Sequence, residues 1–175
     1  MEQKILEKAR RIRLIAFDVD GVMTDGGLFY AESWQAKRFN AQDGLALRLL
    51  ADSPIAVAVI TGKKSECVAQ RMAELQISHV FQGVKNKREV FENLKKKLGL
   101  PWESCAFMGD DLIDLSVMKK CALSFAPQNA VPEVKEIASW VSAKTGGAGA
   151  VRDVIELLLK AQGIWQNAVE YFENQ

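Results

Sequence analysis

Three runs in this chain contain no polar residue: Leu14-Ile15-Ala16-Phe17, Ile55-Ala56-Val57-Ala58-Val59-Ile60 and Cys105-Ala106-Phe107-Met108. A strand with one face in water alternates apolar and polar residues, so an unbroken apolar run of this length reads as a strand buried on both faces. Runs at 80–81, at Leu123–Ala126 with Ser124 inside it, and at Trp140–Val141 read as further strands. Between them lie helical patterns at 3–12, about 43–50, 65–75, 86–98 and 151–161, the fourth with Val90, Phe91, Leu94 and Leu98 at helical spacing. Buried strands alternating with helices predict an α/β fold, a mostly parallel central sheet covered on both faces.

With 175 residues, 49% of them apolar, the chain can bury one good core, and we expect a single domain over 1–175. A formal net charge of +1 provides no general field for nucleic acid or an anionic membrane, and Lys95, Lys96 and Lys97 read as a solvated helix face without interleaved aromatics. No apolar run approaches the roughly 18 residues of a spanning helix, and residues 1–13 are too charged for a signal peptide, so a cytoplasmic location is expected. Cys67, Cys105 and Cys121 form no Cys-x-x-Cys pair, which argues against a disulfide framework or zinc site. His79 is the only histidine, so a catalytic triad or multi-histidine metal centre is excluded by inventory.

The residues just beyond each strand carry the chemistry. The first run ends in Asp18-Val19-Asp20-Gly21, the second in Thr61-Gly62, the short run at 80–81 leads through Gly83 to Asn86-Lys87, and the 105–108 run breaks into Gly109-Asp110-Asp111 with Asp114 beyond. Open α/β sheets bind ligands at the carboxyl ends of their strands. Alone, Asp-Val-Asp-Gly reads equally well as an ordinary acidic turn. Four polar strand ends in this order fit phosphoryl transfer, where catalysis is mostly positioning and charge neutralisation. Asp18 then serves as nucleophile and Asp20 as general acid/base, Thr61 donates to a phosphoryl oxygen, and Lys87 offsets negative charge. Oxygen ligands at two strand ends suit Mg²⁺, with Asp18 and Asp110 as side-chain ligands. For Asp111 and Asp114, capping the following helix or supporting the metal site from behind stands level with direct coordination of the metal.

With these motifs the sequence resembles the haloacid dehalogenase superfamily of Mg²⁺-dependent phosphohydrolases over nearly its whole length: FDVDGVMTDG, VITG, Lys87 and GDDLID stand as its four motifs in order. The resemblance implies a Rossmann-like three-layer α/β/α fold, with Asp18, the Asp20 carbonyl and Asp110 on the metal. More narrowly the chain resembles the 3-deoxy-D-manno-octulosonate 8-phosphate phosphatase subfamily, in its DVDGVxTDG opening, the Phe39-x-x-x-Asp43-Gly44 stretch and the segment Gly146-Gly147-x-Gly149-Ala150. That resemblance implies a small-molecule sugar-acid phosphate as substrate, a role in lipopolysaccharide precursor synthesis, and a homotetramer. Thr24, Gly62, Lys63 and Arg71 are the expected substrate contacts, with Arg152 as a further cation.

Spacing supports the narrower match. Residues 28–39 read as a β-hairpin broken at Glu32 and Ser33, an insertion at about 26–40, and neither that gap nor the one between Gly62 and Lys87 holds a cap domain. A tail at about 162–175 carries Trp165, Val169 and Phe172 at helical spacing, to pack on its own subunit or on a neighbour. Three positions depart from the subfamily: Lys63 for Arg, Gln42 for a basic residue, and Ala148 for Lys or Arg. They leave room for a nonulosonate 9-phosphate as substrate. Two other classes compete: a phosphoaspartate receiver module, which lacks the second carboxylate at the Asp20 position, and a catalytically idle oligomerisation module.

Overall fold

The computed structural model describes residues 2–30 and 35–175. Along the chain it runs α1 (Glu2–Ala9), β1 (Leu14–Phe17), β2 (Phe29–Tyr30), β3 (Gln35–Ala36), α2 (Ala41–Ala51), β4 (Ala56–Ile60), α3 (Glu66–Glu74) and β5 (His79–Phe81). It continues through α4 (Lys87–Lys97), β6 (Cys105–Met108), α5 (Leu115–Met118), β7 (Leu123–Ala126), α6 (Pro132–Ile137), β8 (Trp140–Val141), α7 (Ala150–Ala161) and α8 (Trp165–Glu173). Six strands form one sheet in the order β5-β4-β1-β6-β7-β8, every pairing parallel. The fully apolar runs are its centre: Leu14 pairs with Ala56 on one side and with Cys105 on the other.

Alternation along each strand divides the core in two. Ile15, Phe17, Val57 and Val59 face a layer built on Leu47 and Leu50 of α2 and Val154, Ile155 and Leu158 of α7. Leu14, Ala16, Ala58 and Ile60 face the opposite layer, with Phe91 and Leu94 of α4, Met118 of α5 and Val134 of α6. Phe91 stacks on Trp102 and meets Phe107 edge-on, at centroid separations of 5.6 and 6.0 Å. The result is the Rossmann-like three-layer α/β/α arrangement, its sheet wholly rather than mostly parallel.

Two elements differ from expectation. The helix expected to open at Asp43-Gly44 begins at Ala41, because the Asn40 side chain accepts from the amides of Gln42 (2.8 Å) and Asp43 (3.1 Å) and starts the helix earlier. No element is expected between 126 and 140, yet α6 forms there, six residues long with Pro132 pre-set for its first turn. The hairpin is present as β2 and β3, pairing Phe29 with Ala36 and Tyr30 with Gln35, while the polar break at Glu32 and Ser33 lies outside the described residues. Between Gly62 and Lys87 the chain forms α3 and β5 and no cap.

Candidate active site

Parallel strands in register deliver their last residues to one edge, and β1 lies where the sheet order reverses, with β4 and β6 leading to opposite halves. A crevice opens at such a point. Asp18 leaves β1 there, Thr61 leaves β4, and Asp110 follows β6. Gly21 turns the chain with φ +83°, and a Cβ at that position would overlap the Asp110 carboxylate, so only glycine lets the two acidic segments come this close.

Asp18 is 3% exposed. Its Oδ1 accepts from the Val19 amide at 2.7 Å, and its Oδ2 pairs with Lys87 Nζ at 2.7 Å. Lys87, at the start of α4, lies beneath the site and also holds Asp114 Oδ1 at 2.7 Å. Asp114 is wholly buried, and its Oδ2 accepts from the amides of Asp110 (3.1 Å) and Asp111 (3.4 Å). Asp111 accepts from the Leu112 amide at 2.7 Å and forms a reciprocal cap with Asp114. Both residues thus fix the segment carrying Asp110.

The charge balance is negative, with Lys87 opposed by Asp18, Asp110 and Asp114. Burial, reinforced by Asp114 and opposed by Lys87, pushes Asp18 up to about 6. Burial together with Asp18, Asp114 and Asp111 pushes Asp110 up to about 7. Burial works against the charge of Lys87, but Asp18 and Asp114 outweigh it and raise its pKa. One carboxylate oxygen of each of Asp18, Asp110 and Asp114 lies within 4.8 Å of the others, and Asp110 Oδ1 is buried without a hydrogen-bond partner. An orphaned anionic oxygen among close acids suits a hard divalent cation. Of the three, Asp18 and Asp110 line the open cavity and Asp114 does not, so Asp18 and Asp110 are the side chains placed to hold an ion there. The Asp20 carboxylate is no part of this group and pairs with Lys37, just after β3.

A cavity of about 310 Å³ opens above these groups, lined by Asp18, Asp20, Thr61, Gly62, Lys63, Asp110 and Asp111, with Leu28 and Ile113 on its apolar side. Gly62 is not demanded by packing, since a Cβ there would meet nothing nearer than 3.7 Å. Two expected substrate contacts lie elsewhere in the single chain. Thr24 is wholly buried, donating to the Val19 carbonyl (3.3 Å) and accepting from the Gly26 amide (3.2 Å), so it braces the turn. Arg71 pairs with Glu74 at 3.2 Å and fills the space beside Gly44. Arg152 is likewise engaged, by Glu156 at 2.8 Å and the Trp165 ring at 5.5 Å.

Sequence reasoning missed three residues. Lys37, its side chain 3% exposed, reaches Asp20 from the hairpin. Asp43 is no mere helix opener: its buried carboxylate accepts from the amides of Arg152 (2.8 Å) and Gly149 (3.3 Å), capping α7. Asn129, after β7, bridges the Gly21 carbonyl and the Gly146 amide. Only Asp43 carried a signal, being an acid followed by glycine within the Phe39–Gly44 stretch.

A pocket floor this acidic repels an anionic substrate unless a cation joins it, which is the balance of a metal-dependent phosphohydrolase. A family model for haloacid dehalogenase-like hydrolases matches residues 76–155. The 3-deoxy-D-manno-octulosonate 8-phosphate phosphatase KdsC of Escherichia coli K12 is 44% identical over 160 residues, 91% of this chain and 85% of that protein. The Moraxella catarrhalis 3-deoxy-D-manno-octulosonate 8-phosphate phosphatase, solved in complex with a magnesium ion, a phosphate ion and a KDO molecule, superposes with a TM-score of 0.95 at 40% identity, covering 97% of this chain and 98% of that one. The cobalt-bound Haemophilus influenzae phosphatase gives 0.86 at 38% identity, covering 89% and 92%. The chain belongs to the haloacid dehalogenase-like hydrolases, and within them to the 3-deoxy-D-manno-octulosonate 8-phosphate phosphatase family. This membership sets aside the receiver reading.

Proposed function

We propose that this protein hydrolyses 3-deoxy-D-manno-octulosonate 8-phosphate to the free sugar acid and phosphate, a step in lipopolysaccharide precursor synthesis. The observation that carries the reading is the buried Asp18 held by Lys87 beside the orphaned Asp110 oxygen, at the floor of a cavity that Asp20 also lines. An idle oligomerisation module has no use for a buried lysine flanked by acids at an open cavity, because such a group costs desolvation energy that apolar packing would avoid.

Asp18, Asp110 and the Asp20 carbonyl would hold Mg²⁺, which when bound supplies the positive charge that lets an anionic phosphate approach the acids. An Asp18 oxygen attacks phosphorus while the bond to the sugar oxygen breaks, and Asp20 gives its proton to the departing alkoxide. Water then attacks the phosphoaspartate, its proton returns to Asp20, and phosphate leaves with the Asp18 carboxylate restored. Val19's amide and Lys87 fix the two Asp18 oxygens in place for the attack. Thr61, Gly62 and Lys63 line the cavity, which supports Thr61 as a donor to a phosphoryl oxygen and Lys63 as a cation at the wall. Asp111 and Asp114 hold the Asp110 segment from behind.

Substrate selection is assigned to Lys63 and to a neighbouring subunit. Lys63 is a point charge without the bidentate fork of arginine, and Gln42 and Ala148 add no cation, which keeps a nonulosonate 9-phosphate as the rival substrate. The test is kcat/KM with Mg²⁺ over a panel of both sugar-acid phosphates, hexose phosphates, nucleotides and pyrophosphate. The octulosonate phosphate is expected to rank first. Preference for a neutral hexose phosphate or a nucleotide overturns the substrate and leaves the reaction class standing.

A further inference from the structure

The mechanism leaves one sequence feature without a task, the Gly146-Gly147-x-Gly149-Ala150 segment. Its first two glycines lie backbone against backbone on the turn after Asp20: a Cβ on Gly146 would run into the Gly21 and Thr24 carbonyl oxygens, and one on Gly147 would come within 2.7 Å of the Thr24–Asp25 peptide. Gly147 also donates its amide to the Val22 carbonyl at 3.1 Å. Asn129, on the loop after β7, clips the two segments together. Its Nδ2 donates to the Gly21 carbonyl at 3.1 Å, and its Oδ1 accepts from the Gly146 amide at 2.7 Å. Two residues on, the Val131 amide donates to the Asp110 carbonyl at 2.9 Å, so the same loop also ties down the strand end of the second acid.

The far end of the glycine segment is anchored in the core. Asp43 of α2 caps α7 through the Gly149 and Arg152 amides, and α7 buries Val151, Val154, Ile155 and Leu158. A rigid path therefore runs from the core through α7 and the glycines to the Gly21 turn. We propose that this glycine segment, clipped by Asn129, is a positioning device that holds Asp20 at the angle needed to protonate the leaving group. Asp20 immediately precedes Gly21, and proton transfer requires its oxygen within hydrogen-bond reach of the departing atom. Displacement on the scale of 1 Å at a reacting group costs on the order of a hundredfold in rate. The inference rests on the proposed role of Asp20 as general acid.

The experiment compares two substrates at saturating Mg²⁺: the sugar-acid phosphate, whose alkoxide needs a proton, and an aryl phosphate whose good leaving group does not. In Asn129→Ala, kcat on the alkyl ester is expected to fall about tenfold and on the aryl ester less than about twofold. Gly146→Ala is expected to show the same bias more strongly; should it fail to fold, Asn129→Ala, at an exposed residue, still decides. In an Asp20→Asn background, Asn129→Ala is expected to add no further loss, since both changes act on one proton transfer. Equal losses on the two esters, an additive loss in the double variant, or no loss in Asn129→Ala overturns the proposal. If Asp20→Asn alone fails to discriminate the esters, the general-acid assignment has failed and the positioning role falls with it, an outcome distinct from the others.

Discussion

Lys87 is the residue on which the site's charge turns. It is 2% exposed and its one charge is shared between Asp18 and Asp114, while an Asp110 oxygen is left without a partner. Metal-free protein therefore carries carboxyl groups whose folded pKa values, about 6 for Asp18 and about 7 for Asp110, lie above the ordinary 3.8. An acid with a raised folded pKa favours folding most below its unfolded value and loses that contribution as pH rises through the folded one. The melting temperature of protein stripped of metal is thus expected to fall between about pH 4 and pH 7, and saturating Mg²⁺ to flatten that fall because it binds the deprotonated acids. A metal-free melting temperature that rises over this range contradicts the charge balance. At this scale the sequence was readable wherever an apolar run broke into a polar residue, which is how Asp18, Thr61 and Asp110 could be placed on one edge. Lys37 and Asn129 were not readable, because each acts across a loop on a residue far away in the chain, with no periodicity to mark it. Arg71 is expected at the substrate as a cation on the helix after Thr61, and in the single chain its guanidinium lies on Glu74 and Gly44.

Elements were legible in proportion to their apolar content. Strands β1, β4 and β6 bury every residue but Ala56, so their runs could hardly be mistaken. The α6 helix has six residues and buries one, Val134, which leaves too little pattern to read. Helix α2 shows how a cap outranks a propensity argument: Gly44 sits within the helix, not at its start, because Asn40 satisfies two amides ahead of it. Asn40→Ala is expected to lower stability by about 1 kcal/mol in denaturant unfolding and to leave kcat unchanged. An unchanged midpoint would mean that α2 is held by its packing on α7 alone.

At the scale of the whole molecule, a core without a cap leaves its cavity open to water. The hairpin beside it exposes Leu28, Phe29 and Tyr30 at 41, 55 and 65%. The tail divides its apolar surface: Trp165 packs on the body of its own chain, while Tyr171 and Phe172 are 61 and 48% exposed. These surfaces support the proposal of a homotetramer in which neighbours complete the site. Light scattering at micromolar concentration is expected to give a mass near four chains, and a fully active monomer would remove this part of the account. No described helix is long and apolar enough to cross a membrane. The central claim is that Asp18 receives the phosphoryl group of a sugar-acid phosphate. Its most direct test is phosphate release from 3-deoxy-D-manno-octulosonate 8-phosphate with Mg²⁺, compared between the natural protein and Asp18→Asn, whose side chain keeps the shape and loses the nucleophile. The account predicts turnover by the first and none by the folded variant; release by Asp18→Asn at the natural rate would contradict it.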